Sequence, residues 1–382
     1  MQLNGLQIAD ARLKPIADKV LAGERLSFDD GIALYRTHDL LAVGWLANYV
    51  REQKSGNIAY YNVNRHLNPS NVCVAHCRLC AFGRDAAAPG AYTMALDDAF
   101  RIARTGYDES VTEFHIVGGL HPDLPFDYFL DLIRGLRQRF PHVHLKAFTM
   151  VEIVYLAKVA KLSIRDTLLK LKEAGLGSLP GGGAEIFHPR VRKVICDHKI
   201  SGAMWLRTAR TAHKLSLHSN ATMLYGHIET EEERVDHLLR LRALQDETRG
   251  FVCFVPLAFH PDHTALSHLP KPTGLADLKN MAAARLLLDN FPHVKAYWIM
   301  LTPRIAQVAL RFGADDIDGT VMEEKIYHDA GARTAQSLRR SELIRLIREA
   351  GREPLERDTL YRPVQRSADG QLRVDTTLTV NV

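Results

Sequence analysis

The chain has 382 residues, 46% hydrophobic and 24% charged, which is the balance of a globular enzyme with a large buried core. Lys plus Arg outnumber Asp plus Glu by five (49 against 44), and these charges are scattered without a basic stripe interleaved with aromatics, so nucleic acid is not an expected partner. There is no run of the ~20 apolar residues a membrane span needs, and Asp10, Arg12, Lys14, Asp18 and Lys19 break up the region where a secretory segment would be apolar; a cytoplasmic protein in a reducing compartment is expected.

Residues 1–57 read as a helical preface. Ser27 followed by Asp29 and Asp30 has the form of an N-cap with an acidic first turn, and Thr37 opens a second apolar-periodic run that Gly56 ends. A DNA-binding helix pair would need a basic recognition face, which is missing, so packing against a main domain is expected. From about residue 60, short strand-like runs alternate with longer helical ones. Strands are predicted at 63–68, 112–117, 144–149, 177–179, 219–224, 251–258, 295–299 and 316–319. Helices are predicted near 95–105, 126–140, 163–174, 202–215, 231–247, 275–290, 303–312 and 341–350. Eight such units predict an α/β fold, a (β/α)8 TIM-type barrel over residues 58–361, with an open barrel of six units as the rival. Residues 362–382 read as a polar, loosely held tail.

Just after the first predicted strand stand Cys73, Cys77 and Cys80, spaced C-x3-C-x2-C. A four-iron cubane held by three thiolates keeps one iron open to a small molecule. Zinc held by these three and His76 is the competing reading, but structural zinc takes two separated ligand pairs and no second pair follows. The two other cysteines, Cys196 and Cys253, lie far off; the odd total argues against disulfides, and the pair is too few for a second cluster.

Function in such a barrel sits at the C-terminal ends of the strands. Period-two alternation puts Asn64, His66 and Asn68 on one face of the first strand and Glu113 and His115 on one face of the second; Asn220, Thr222 and Tyr297 join the same candidate set. Gly118-Gly119, followed by Leu120 and His121, and the run from Pro180 through three glycines to Glu185 let a ligand approach backbone groups closely. His260, His263 and His268 fit no standard ligand spacing and read as solvated or substrate-facing imidazoles. Asp315, Asp316 and Asp318 read as acidic loop caps in preference to a magnesium site.

The cysteine segment closely resembles that of radical S-adenosylmethionine (SAM) enzymes. The resemblance implies a [4Fe–4S] cluster on Cys73, Cys77 and Cys80, with SAM chelating the open iron, its methionyl amino group at Gly118 and Gly119, and Glu185 as a further SAM contact; a salt bridge from Glu185 to Arg190 or Arg192 is the alternative. Leu79 stands where that superfamily commonly has an aromatic residue, leaving Phe82, two residues past Cys80, as the aromatic cofactor candidate. Four longer words, 66–73, 185–193, 220–229 and 313–320, resemble the aminodeoxyfutalosine synthase family of menaquinone biosynthesis, a resemblance that runs from about 30 to 361.

That second resemblance implies addition of a deoxyadenosyl radical to the alkene of 3-[(1-carboxyvinyl)oxy]benzoate, then rearrangement and loss of a carboxylate, with a flavodoxin- or ferredoxin-type electron donor and a homodimer left open. A substrate with two carboxylates asks for cations, for which Arg78, Arg84, His121 and Arg304 are candidates. Asn68, His115, Asn220 and Tyr297 are further substrate-facing candidates, and His66, His227 and Glu185 are the candidate acids or bases. The nearest rivals are dehypoxanthine futalosine cyclase and related ring-forming radical enzymes; Phe187-His188-Pro189 and Ile326-Tyr327-His328 favour the synthase. A non-catalytic zinc or iron–sulfur binding protein is the rival from another class.

Overall fold

Polar residues and apolar residues alternate along the inner strands, and that alternation decides the architecture. In the strand Glu113–Ile116, Phe114 and Ile116 are fully buried on the side of the surrounding helices, with Phe114 edge-on to Phe140 at 5.1 Å, while Glu113 and His115 point the other way, into a barrel. The computed structural model describes residues 7–105, 110–367 and 372–374.

Eight strand positions form one closed parallel ring. Ile58–Asn62 (β1) and Asn64–Leu67 (β2) are a single extended run interrupted at Val63. β2 pairs with Glu113–Ile116 (β3), and β3 with His144–Ala147 (β4). Ser178 and Leu179 take the fourth place, bridging Lys146 on one side and Ser219 on the other. Ser219–Tyr225 (β5), Phe251–Ala258 (β6) and His293–Val294 (β7) follow, and Lys295 bridges Asp316 of Asp316–Gly319 (β8). β8 returns to β1 through Tyr60↔Asp316 and Asn62↔Gly319, extended by a bridge between Arg65 and Met322. The ring is therefore an eight-position TIM-type barrel, and the six-unit rival falls.

Three differences from the sequence reading have local causes. The seventh strand lies at His293–Val294, ahead of the expected 295–299, of which only Lys295 bridges a neighbour; Tyr297 already precedes the short helix Trp298–Leu301, a buried apolar run whose periodicity does not separate helix from strand. The helix Met150–Ala160 went unread; Thr149 and Glu152 start it with a reciprocal capping box. The helix Leu40–Ser55 begins at Asp39, whose side chain accepts the Ala42 N–H, while Thr37 ends the preceding helix Phe28–Arg36; Ser27 and Asp30 cap that helix as expected, and Gly56 ends the longer one. These helices lie against the barrel's outer helices, with the Tyr35 hydroxyl donating to Asn280 at 2.7 Å.

The chain after the last barrel strand makes two further pairings, one before the expected tail and one within it. Glu353–Glu356 (β9) pairs in parallel with β1, and Val364–Arg366 (β10) pairs antiparallel with Leu372–Val374 (β11). Between them Arg357 and the Tyr361 hydroxyl reach Asp316, and Thr359 donates to Glu113 at 2.8 Å, so this segment braces the N-terminal ends of the barrel strands. The rest of the expected tail, 368–371 and 375–382, lies outside the described residues. Among the described residues no helix is long and apolar enough to cross a membrane.

Candidate functional site

A cavity of about 1720 Å³, open mouth included, occupies the barrel and the loops at the C-terminal ends of its strands. Cys73, Cys77 and Cys80 stand in its wall as free, partly buried thiols. Their loop is pinned at the neck: Cys73 N–H donates to the Arg84 carbonyl at 2.9 Å, Arg84 N–H to Asn71 at 2.8 Å, and Val74 N–H to Leu120 at 3.0 Å. The Ala75 and Gly83 N–H groups point at the Cys73 and Cys80 sulfurs at 3.4 and 3.3 Å, the hydrogen bonding that tunes a thiolate-held cluster. His76, the fourth ligand of the zinc reading, is exposed, with Nε2 3.4 Å from Asp85. Three thiols on one loop with backbone donors beside the sulfurs fit a three-cysteine iron–sulfur cluster.

The glycine turn after β3 lies directly against this loop. A Cβ on Gly119 would sit 2.1 Å from the Val72 carbonyl oxygen, so only glycine permits the approach. Gly118 N–H donates to Glu152 Oε1 at 3.0 Å and Thr149 N–H to Glu152 Oε2 at 2.7 Å. Glu152 lines the cavity and has no ion-pair partner among the described residues; burial pushes its carboxyl up to about 7. Glu185 takes a positive φ of 47° after its glycines, and its carboxylate receives the Lys199 ammonium at 2.6 Å. Burial opposes ionisation of Glu185, but Lys199, with Arg192 and His227 adding to it, leaves the carboxyl below its ordinary range. Neither expected arginine is the partner: Arg190 pairs with Glu233, and Arg192 donates to the carbonyls of Ala184 and Ile186.

Deeper in, the parallel register aligns His66, His115 and Lys146 side by side on three adjacent strands. The two imidazoles stack, and burial lowers both their pKa values, so they are neutral near pH 7. Lys146 pairs with Glu113 at 2.6 Å, and Lys295 with Asp318 at 2.9 Å. Tyr297 and Tyr327 meet edge to face at 5.9 Å on the wall beside His260, and Glu324 accepts the Tyr327 N–H at 3.0 Å.

Of the residues singled out in the sequence, the cavity gathers the three cysteines, Phe82, Gly118, Gly119, Glu185, His66, His115, Asn220, Thr222 and Tyr297. Six of the candidate substrate-binding or acid–base residues are placed outside its lining. Arg78 and Arg304 are exposed, and the Arg84 guanidinium turns back to the carbonyls of Ala81 and Gly83 in its own loop. Asn68 donates to the Val117 carbonyl at 2.9 Å. His121 Nδ1 accepts the N–H groups of Asp123 and Leu124, which obliges Nε2 to donate to Thr93 at 2.9 Å. His227 is fully buried beyond the end of β5, held between the Leu224 carbonyl and Glu229. Among the three histidines 260, 263 and 268 only His260 reaches the cavity. The acidic trio does not cap loops: Asp315 pairs with Arg285, Asp316 with Arg357 and Asp318 with Lys295 inside the protein.

Lys146, Glu152, Lys199 and Lys295 were missed. A lysine in a strand reads as solvated; the signal available for Lys146 was its inward parity in the run 144–149.

Comparison with known proteins adds to this geometry. Residues 67–241 match the radical SAM superfamily, and residues 248–369 match the CofH/MqnC C-terminal region. The chain is 51% identical to aminodeoxyfutalosine synthase of Thermus thermophilus over 94% of its own length and 97% of that protein. It is 47% identical to aminodeoxyfutalosine synthase of Streptomyces coelicolor, covering 92% of this chain and 94% of that one. The crystal structure of methylornithine synthase superposes with a TM-score of 0.70 at 16% identity, covering 89% of this chain and 97% of that one, which speaks for the fold alone.

Proposed function

This chain belongs to the radical SAM superfamily and, within it, to the aminodeoxyfutalosine synthase family, and on that premise we propose that it joins the adenosyl part of SAM to 3-[(1-carboxyvinyl)oxy]benzoate, with rearrangement and decarboxylation, to give 6-amino-6-deoxyfutalosine for menaquinone biosynthesis. The observation that carries the proposal is a single barrel cavity that holds three free thiols at one end and a row of imidazoles and ammonium groups at the other. Membership of the superfamily implies a [4Fe–4S] cluster and SAM.

Cys73, Cys77 and Cys80 would hold the cluster, which when bound supplies the electron that opens the sulfonium C–S bond of SAM. Gly118 and Gly119 give the methionyl end a wall without side chains, and Glu152, a carboxylate lacking a cation, is placed there to receive the methionyl ammonium. Phe82 and Leu79 add apolar surface next to the cysteines, and the Glu185–Lys199 pair offers one group of each charge beside them. The neutral His66–His115 pair stands where an aromatic substrate would enter the barrel, and either ring can take a proton during rearrangement. A flavodoxin- or ferredoxin-type protein in the cytoplasm is the proposed source of the electron.

The test is anaerobic incubation of the iron–sulfur-reconstituted protein with dithionite, SAM and the benzoate, with products followed by mass spectrometry. A benzoate-dependent product carrying the adenosyl group supports the synthase. Release of 5'-deoxyadenosine without an adduct transfers the protein to the hydrogen-abstracting cyclase reading, and a verified cluster with no SAM cleavage leaves only a binding protein.

A further inference from the structure

Three full cations line the cavity, and they fall into two groups. Lys199 belongs to the cysteine end, where it pairs with Glu185 and feels the charge of Cys77. Lys146 and Lys295 belong to the barrel itself, each 3% exposed, Lys146 on β4 and Lys295 directly after β7. Each ammonium makes one ion pair, to Glu113 at 2.6 Å and to Asp318 at 2.9 Å. An ammonium has three N–H donors, so each keeps donors that no acceptor among the described residues takes up. Lys146 also feels the charge of Lys295 across the barrel. An anion between them would relieve that repulsion and use the spare donors.

Packing gives no reason for this arrangement. Barrel interiors are filled mainly by branched apolar side chains, and a buried ion pair contributes no more stability than apolar residues of the same volume. Two ammonium groups retained at the centre, facing open space instead of packed atoms, have the form of a receptor for a carboxylate.

We propose that Lys146 and Lys295 together receive the ring carboxylate of the aromatic substrate, an assignment that rests on the reaction proposed above. The reacting alkene must face the cysteine end. The ring carboxylate, meta to the enol ether, is then at the far end of the molecule and points into the barrel. His115, register partner of both His66 and Lys146, lies between the two ends, so the ring rests against imidazole on its way to the lysines. This division leaves the second carboxylate, the one carried by the alkene, near the cysteine end and away from the clamp.

The experiment compares turnover of 3-[(1-carboxyvinyl)oxy]benzoate with turnover of 2-phenoxyacrylate, which has the same alkene and no ring carboxylate, by the reconstituted holoenzyme and its variants. Wild type prefers the benzoate in kcat/KM. Lys146→Met and Lys295→Met each reduce that preference about tenfold or more, as expected for loss of a charged hydrogen bond, with the change mainly in KM for the benzoate. Because each variant strands a buried carboxylate, Lys146→Met with Glu113→Gln and Lys295→Met with Asp318→Asn are measured beside them. An undiminished preference in the folded variants, or an equal loss on both substrates, overturns the assignment. Failure of wild type to form any adduct with the benzoate overturns the proposed reaction first, so the two failures are distinguishable.

Discussion

His66 and His115, register partners on adjacent barrel strands, stack with ring centroids 4.5 Å apart and planes 15° from parallel. Burial is the main reason both pKa values fall, and for His115 the His66 ring adds to it. A histidine whose folded pKa is depressed binds fewer protons than the unfolded chain below about pH 6.5, so stability is lost as pH falls through that value. The slope is up to ~1.4 kcal/mol per pH unit for each such group. Thermal unfolding between pH 7.5 and 5 measures it, and His66→Phe or His115→Phe, which keeps a flat ring in the stack, should flatten the acid limb.

His328 behaves with the opposite sign. Its hydrogen bond to the Glu324 carboxylate, followed by the Thr334 and Glu324 carbonyls, holds its pKa up at about 9. The stabilisation is complete below pH 6.5 and disappears as pH rises through 9. For a partly exposed pair, allowing for solvent screening, it is worth about 1 kcal/mol. His328→Gln should lower the thermal midpoint at pH 6.5 and converge on wild type near pH 9.5.

Gly119→Ala tests how closely the glycine turn supports the cysteine loop. The added methyl meets the Val72 carbonyl oxygen, and backbone cannot step aside as a flexible side chain would. We expect destabilisation of about 1–3 kcal/mol and a reduced iron and sulfide content per chain after reconstitution. Full cluster loading with an unchanged midpoint would show that the turn tolerates a side chain.

Glu152→Gln keeps one acceptor for the backbone donors of Gly118 and Thr149 but removes the charge. SAM affinity, measured by equilibrium dialysis, should fall about tenfold, and S-adenosylhomocysteine, which has the ammonium but no sulfonium, should lose the same factor. A loss confined to SAM would place Glu152 opposite the sulfonium instead.

Much of this could be read from the chain because its signals are local. The C-x3-C-x2-C spacing, the glycines at 118 and 119, and the strand–helix alternation each need only a few neighbouring residues. What escaped depends on orientation. Arg78, Arg84 and Arg304 have the right charge for a dicarboxylate, but the loop turns Arg84 onto its own carbonyls and leaves the other two in solvent. Lys146 and Lys295 have the same charge in strands where lysine is normally an outward residue, and only parity within a closed ring puts them at the centre. His227 was on the right strand end but is consumed by Glu229. The pairing of β9 with β1 joins residues nearly three hundred positions apart, and no periodicity announces it.

One cavity thus joins a three-cysteine cluster site to a proposed receptor for an aromatic dicarboxylate. The decisive experiment is an anaerobic crystal structure of the reconstituted protein with SAM and 3-[(1-carboxyvinyl)oxy]benzoate. It should show a four-iron cluster on Cys73, Cys77 and Cys80, the methionyl ammonium at Glu152, and the ring carboxylate between Lys146 and Lys295. A single metal ion on the three cysteines, or a benzoate bound outside the barrel, would rule this arrangement out.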